Sequence, residues 1–157
     1  EIGLGIPAEP LFRSLPMSSA AELAGSIRDS AKLAQAYASA TTSKIAVVTG
    51  KAYGSAYVAL ASTAAGSDFT FAWEGAVIAP TTPEAAVVFL NGVSEDNAKQ
   101  AQEYADNEAD AFTAAANGYV DRVITAEDTK SALTSAIEAT SSKRVVTPAK
   151  KHVNFVY

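Results

Sequence analysis

Apolar residues recur along this chain with two different periods. Between Ser18 and Ser43, the positions Leu23, Ile27, Ala31, Ala34 and Ala38 fall three and four residues apart. That spacing predicts one face of a helix that begins near a Ser18 or Ser19 cap. The face is mostly alanine, which lets a neighbouring backbone approach closely. Lys44 to Val48, KIAVV, is a short β-branched run and predicts a buried strand. SAYVALASTAA then predicts a helix ended by Gly66. FTFAW and AVIA predict two short strands separated by Glu74-Gly75, with an irregular segment as the alternative for the second. Pro83 sits where a first-turn proline would, opening EAAVVFL, which Asn91-Gly92 closes.

Ser94 is placed to cap a long helix through residue 116. Ala98, Ala101, Ala105, Ala109 and Phe112 mark its apolar stripe, and Glu95, Glu103, Asp106 and Asp110 occupy its other sides. Asn117-Gly118 ends it, YVDRVIT predicts a strand or extended segment, and AEDTKSALTSAIEA predicts another amphipathic helix. Residues 1–17 carry three of the six prolines and read as extended segment and loop, while the tail KRVVTPAKKHVNFVY is basic. Strands and helices alternate, so the class is α/β.

Composition narrows the picture. A chain of 157 residues fits one domain, and 48% hydrophobic against 18% charged residues describes a globular one. No stretch approaches the roughly 20 consecutive apolar residues of a membrane span. With no cysteine, disulfides, thiolate nucleophiles and cysteine zinc sites are excluded, and a reducing, cytoplasmic location is the expectation. The net charge of −5 argues against nucleic acid or an anionic membrane as main partner. One histidine and scattered carboxylates supply no metal-ligand cluster. The chain starts at Glu1 and its one methionine is Met17, so a fragment or processed piece is among the expectations.

The candidate chemistry lies in GKAYGSAY, residues 50–57, at a predicted strand-to-helix corner. Gly50 closes the strand, Gly54 stands at the helix entrance, and Ser55 and Ala56 begin the helix. The first N–H groups of a helix lack intrahelical partners, and the dipole favours negative charge beside them. Aimed at a cavity, such donors form an oxyanion hole. A tight turn with close helix–strand packing accounts for the same residues. Tyr53 and Tyr57 are candidates to line a flat ring pocket or simply to pack. Lys51 is placed to steer a carboxylate, and Trp73 reads as core.

Four stretches, in order, resemble the C-terminal half of the biotin-dependent acyl-CoA carboxyltransferases. They are GSIRDSAKLAQAYASATTSKIAVVTGKAYGSAYVALAS, DFTFAWEGAVIA, AAANGYVDRVI and SKRVVTPAKKHVNFVY, and together they cover most of residues 20–157. The resemblance implies a crotonase-like fold of repeated ββα units, here a partial domain spanning residues 1–157. It implies transfer of a carboxyl group between biotin, borne by a separate carrier protein, and an acyl-CoA, in either direction. It implies that Gly54, Ser55 and Ala56 match a Gly-Gly-Ala turn whose backbone N–H groups hold the biotin ureido oxygen, with Ser55 and Ala56 donating and Gly54 allowing the turn. It also implies that the CoA site belongs to an N-terminal half, here absent, so that a partner subunit or further chain completes a homo- or hetero-oligomer.

The chain departs from the family pattern at Ser55, which stands where a glycine is usual, and at APTTPEAAVVFL, which lacks the usual methionine-glycine before Pro-Glu. Two other readings remain open at this stage. One is a relative of the Clp-type serine peptidases with Ser55 as nucleophile, for which His152 is the only histidine and is badly placed. The other is a catalytically silent assembly subunit of the same fold.

Overall fold

The computed structural model describes residues 19–146. Helix α1 (Ser19–Leu23) and helix α2 (Ser26–Ser39) are separated by Gly25, whose φ of +95° breaks the helical run. Strand β1 (Ile45–Val48) and strand β2 (Lys51–Tyr53) follow, and β2 leads directly into helix α3 (Gly54–Leu60). A single 3-10 turn (Thr63–Ala65) precedes strands β3 (Phe69–Trp73) and β4 (Val77–Ala79). Helices α4 (Pro83–Asn91), α5 (Asn97–Asn107) and α6 (Ala111–Ala116), strand β5 (Arg122–Ile124) and helix α7 (Thr129–Thr140) complete the order.

The strands form two parallel sheets. One has the order β1-β3-β5, with Ile45 opposite Phe69 and Phe71 opposite Arg122. The other pairs β2 with β4, Tyr53 standing opposite Ala79. Successive side chains of a strand point to opposite faces, and that alternation divides the core in two. Ile45, Val47, Phe69, Phe71, Trp73 and Ile124 meet Ala132 and Ala136 of α7. Val48 and Ala72 turn the other way, where Ala52, Ile78, Ala111, Ala114 and Val120 close the second cluster. The alanines of this second layer let the small sheet and α6 come close to the large one. The Trp73 indole N–H donates to the Thr129 hydroxyl at 2.9 Å, tying the end of β3 to the start of α7 and placing Trp73 in the packing, as its position predicts.

Four elements differ from the sequence reading. β2 is absent from it, because three residues between two glycines are too few to show a period. The helix over 55–65 stops at Leu60: the Tyr57 carbonyl accepts from both Ala61 N–H and Ser62 N–H, which unwinds the end, and the Ser62 hydroxyl caps the 3-10 turn. The helix over 94–116 is two helices, since the Ala109 carbonyl accepts from Ile78 N–H at 2.8 Å and Asp110 starts a new helix by capping Phe112 and Thr113. The α2 stripe is covered only in part: Ile27 is exposed, Ala31 and Ala34 are half-buried, and no residue of α2 is fully buried. Residues 1–17 and most of the basic tail, His152 included, lie outside the described residues.

Candidate functional site

The two strands of the small sheet run side by side, and each hands over to a helix at its carboxyl end. β2 enters α3 at Gly54, and β4 enters α4 through Pro80–Thr82 to Pro83. In open parallel sheets the carboxyl ends of strands are where ligands collect, because helix N-termini and loops converge there. Thr82 caps α4, its hydroxyl accepting from Ala85 N–H at 3.3 Å, and Pro83 fills the first helical position without an N–H to satisfy. The Thr81-Thr82 pair thus supplies an ordinary helix entrance where the family pattern has methionine-glycine.

Gly54 is the residue the geometry constrains most. Its φ is +55°, and a Cβ built there would stand 3.1 Å from the Pro80 carbonyl oxygen. Both the backbone conformation and the close approach of the β4–α4 connection therefore demand glycine. Ser55 and Ala56 follow in the first turn of α3, the part of a helix whose N–H groups have no intrahelical acceptor. Gly50 serves a different purpose: its carbonyl accepts from Val77 N–H at 3.0 Å and helps hold β4 beside β2.

The two tyrosines have different surroundings. Tyr53, half-buried, is the last residue of β2, and its phenol is held protonated by desolvation and by the nearby Glu84 carboxylate at the start of α4. Tyr57, one helical turn into α3, packs against the Ala52–Ala61–Val120 cluster. Its hydroxyl donates to the backbone carbonyl of Tyr119. Desolvation raises its pKa, and the neighbouring Tyr119 and Asp121 raise it further, so the hydroxyl remains a donor at neutral pH. Lys51 is exposed at the far end of β2 from the turn. Among the described residues, no three acidic or histidine side chains gather where a metal ion would sit.

Thr70 was not singled out in the sequence, although the structure makes it central. It is fully buried near the start of β3, and its hydroxyl donates to the Ala61 carbonyl at the end of α3. No local signal marks it, because its partners lie 9 and 51 residues away.

Comparison with known proteins accords with this arrangement. Residues 15–155 match the model of the carboxyl transferase domain. The chain is 39% identical over 142 residues to the methylmalonyl-CoA carboxyltransferase 12S subunit of Propionibacterium freudenreichii subsp. shermanii, covering 85% of this chain and 27% of that protein. It is equally 39% identical over 137 residues to the propionyl-CoA carboxylase beta chain of Cereibacter sphaeroides, again covering 27% of the relative. Among solved structures, the hexameric transcarboxylase 12S with hydrolysed methylmalonyl-coenzyme A bound superposes with a TM-score of 0.81 at 38% identity, over 91% of this chain and 29% of that one. The chain therefore spans between a quarter and a third of the length of these relatives, and its two parallel sheets with their crossover helices are a crotonase-type α/β fold. Sequence and fold together show that this chain belongs to the carboxyl transferase family.

Proposed function

We propose that residues 1–157 form one C-terminal-type carboxyltransferase domain that supplies the biotin-facing side of an acyl-CoA carboxyltransferase site. The observation that carries this reading is the Gly54 turn, held at φ +55° against the Pro80 carbonyl at the carboxyl ends of two parallel strands. It lies at the position the family resemblance assigns to the oxyanion turn. Two features support the reading: Gly54 turns the backbone with no room for a Cβ beside the Pro80 carbonyl, and Tyr53, half-buried, stands at the strand end next to it. Biotin borne on a carrier protein donates or accepts the carboxyl group. In this reading the Ser55 and Ala56 N–H groups donate to the ureido oxygen as negative charge builds there, and Gly54 sets the turn that aims them. Donors fixed in advance are worth more than donors that must reorganise, because no reordering is needed as charge develops. Tyr53, at the end of β2, is the tyrosine proposed to line the site, whereas Tyr57 turns its ring into the second core cluster and its hydroxyl to the Tyr119 carbonyl.

The proposed partners are a biotin carboxyl carrier protein and the region that holds the acyl-CoA, in an oligomer and in the cytoplasm. Nothing in this half of the site requires a side-chain nucleophile. The test is Gly54→Ala in the complete native assembly, with free biotin and methylmalonyl-CoA as probes. Transfer from methylmalonyl-CoA breaks its bond to the carboxyl carbon, forms an N–C bond on biotin, and moves the displaced N–H proton to the α-carbon. Propionyl-CoA release is expected to fall by about 10²-fold, the scale of losing an oxyanion donor, with the KM for methylmalonyl-CoA unchanged. An unaltered rate would remove the turn from the mechanism.

A further inference from the structure

Four residues tie α3 to the rest of the molecule through a closed circuit of hydrogen bonds. The Tyr57 hydroxyl donates to the Tyr119 carbonyl. Two residues on, Asp121 N–H donates to the Thr70 carbonyl at 2.9 Å, and its Oδ2 accepts from Thr70 N–H at 2.7 Å. The Thr70 hydroxyl then donates to the Ala61 carbonyl, which returns to the end of α3. The helix is only seven residues long, too short to hold its own direction by internal bonds. It is instead pinned at its middle to the loop that precedes β5, and at its end to β3, the central strand of the large sheet. Its first residue is fixed separately, where Gly54 meets the Pro80 carbonyl.

We infer that Tyr57 is a positioning residue: through the Tyr119–Asp121–Thr70 belt it sets the direction in which the Gly54–Ala56 turn presents its N–H groups. The inference rests on the reading proposed above. The geometry distinguishes this role from simple packing. The ring alone fills space against the second core cluster, whereas the hydroxyl contributes one bond between two segments that sequence separates by 62 residues. Asp121 and Tyr119 are the charged and titratable groups facing this hydroxyl, and both favour its protonated, donating form. Small losses of alignment in a catalytic turn reduce rate more than they reduce ground-state affinity elsewhere in the site.

The test is made in the complete native assembly with Tyr57→Phe, which keeps the ring and removes the hydroxyl. Propionyl-CoA formation from methylmalonyl-CoA and free biotin is expected to lose about tenfold in kcat, with the KM for methylmalonyl-CoA unchanged. Independently of turnover, protection of the 53–60 amides from hydrogen–deuterium exchange by free biotin is expected to weaken. Asp121→Ala should reproduce the loss, and Asp121→Asn, which keeps an acceptor for Thr70 N–H, should restore it. This second pair decides the matter if Tyr57→Phe fails to fold. Normal kcat and normal protection in Tyr57→Phe, beside a Gly54→Ala protein that is slow, would overturn the inference and leave the turn reading standing. A parallel fall in kcat, methylmalonyl-CoA affinity and melting temperature would overturn it in favour of bulk packing. A Gly54→Ala protein with full rate would overturn both.

Discussion

Lys44 shows how a single charge is kept at 7% exposure in this fold. Its ammonium donates to the Tyr37 carbonyl at 2.7 Å, in the last turn of α2, where the helix dipole favours positive charge. It also stands 5.9 Å from the centre of the Tyr37 ring. Its backbone N–H donates to Asp68 Oδ2 at 2.7 Å, and the same oxygen accepts from the Lys143 ammonium at 2.7 Å. Desolvation works to raise the Asp68 pKa, but the bonds from Lys143 and from the Lys44 backbone outweigh it and hold the carboxyl below its ordinary value. A carboxylate depressed in the folded state contributes stability above its unfolded pKa and loses it as pH falls through the folded value. Urea unfolding should therefore show Asp68→Asn less stable than the parent at pH 7, with the gap closing below about pH 4. An equal gap at pH 7 and pH 3 would mean that the carboxylate's charge is not what matters.

Gly54 belongs to the same scale, because its requirement is that of one atom. An alanine there meets a backbone oxygen at 3.1 Å and a left-handed φ together. The strain should lower stability by about 1–3 kcal/mol, measurable by chemical denaturation alongside the activity loss. The need for glycine at this corner was legible in GKAYGSAY, since a glycine followed by two small residues, just after a strand run, marks a tight entrance to a helix. What was not legible is what the turn leans on. Pro80 is 26 positions further along with nothing local to tie it to Gly54, and Thr70 and Asp121 meet only when β3 and β5 are paired.

At the scale of elements, the break between α5 and α6 is the instructive case. Alanines at 98, 101, 105 and 109 continue one helical period, so periodicity alone predicts a single helix. The structure interrupts it because β4 needs an acceptor at its edge, and the Ala109 carbonyl is the one within reach. Asp110 makes the interruption tolerable by accepting from Phe112 N–H at 2.8 Å and Thr113 N–H at 3.1 Å. Asp110→Ala is expected to destabilise the protein by about 1 kcal/mol, the usual worth of a cap, and Asp110→Asn by less. Equal losses in a melting experiment would assign the effect to charge and not to capping. Elements with a strong signal of their own, such as β1, β3, α4 and α7, fell where composition and caps placed them. β2 escaped notice because three residues show no period, and the two-helix break because its cause, Ile78 N–H, lies far along the chain.

At the scale of the whole molecule, apolar side chains remain on the outside in a pattern that the two cores do not explain. Phe89 and Val93 are each 89% exposed and Leu90 is 63% exposed, all on or just after α4. Scattered single residues of this kind are common, but neighbours on one element attract apolar probes. A hydrophobic fluorescent dye should therefore bind this chain, and Phe89→Ser with Leu90→Ser should reduce the signal by half or more without lowering the melting temperature. A dye signal unchanged by the pair would move the patch elsewhere. Net charge of −5 and the acidic sides of α5 favour solubility over nonspecific association with anionic polymers.

Both sheets are wholly parallel, and that fixes a timetable for biosynthesis. Parallel neighbours cannot be joined by a hairpin, so each pairing waits for a crossover to be made. On a ribosome, β1 finds β3 only after Phe69–Trp73 has emerged, 24 residues after β1 in register. β3 then carries one open edge until Arg122–Ile124 arrives, and an open edge is a template for unwanted pairing. Asp121 emerges immediately before β5. The nascent chain therefore makes the corner at residues 50–57 well before the residues that brace it, first Pro80 and then Tyr119 and Asp121.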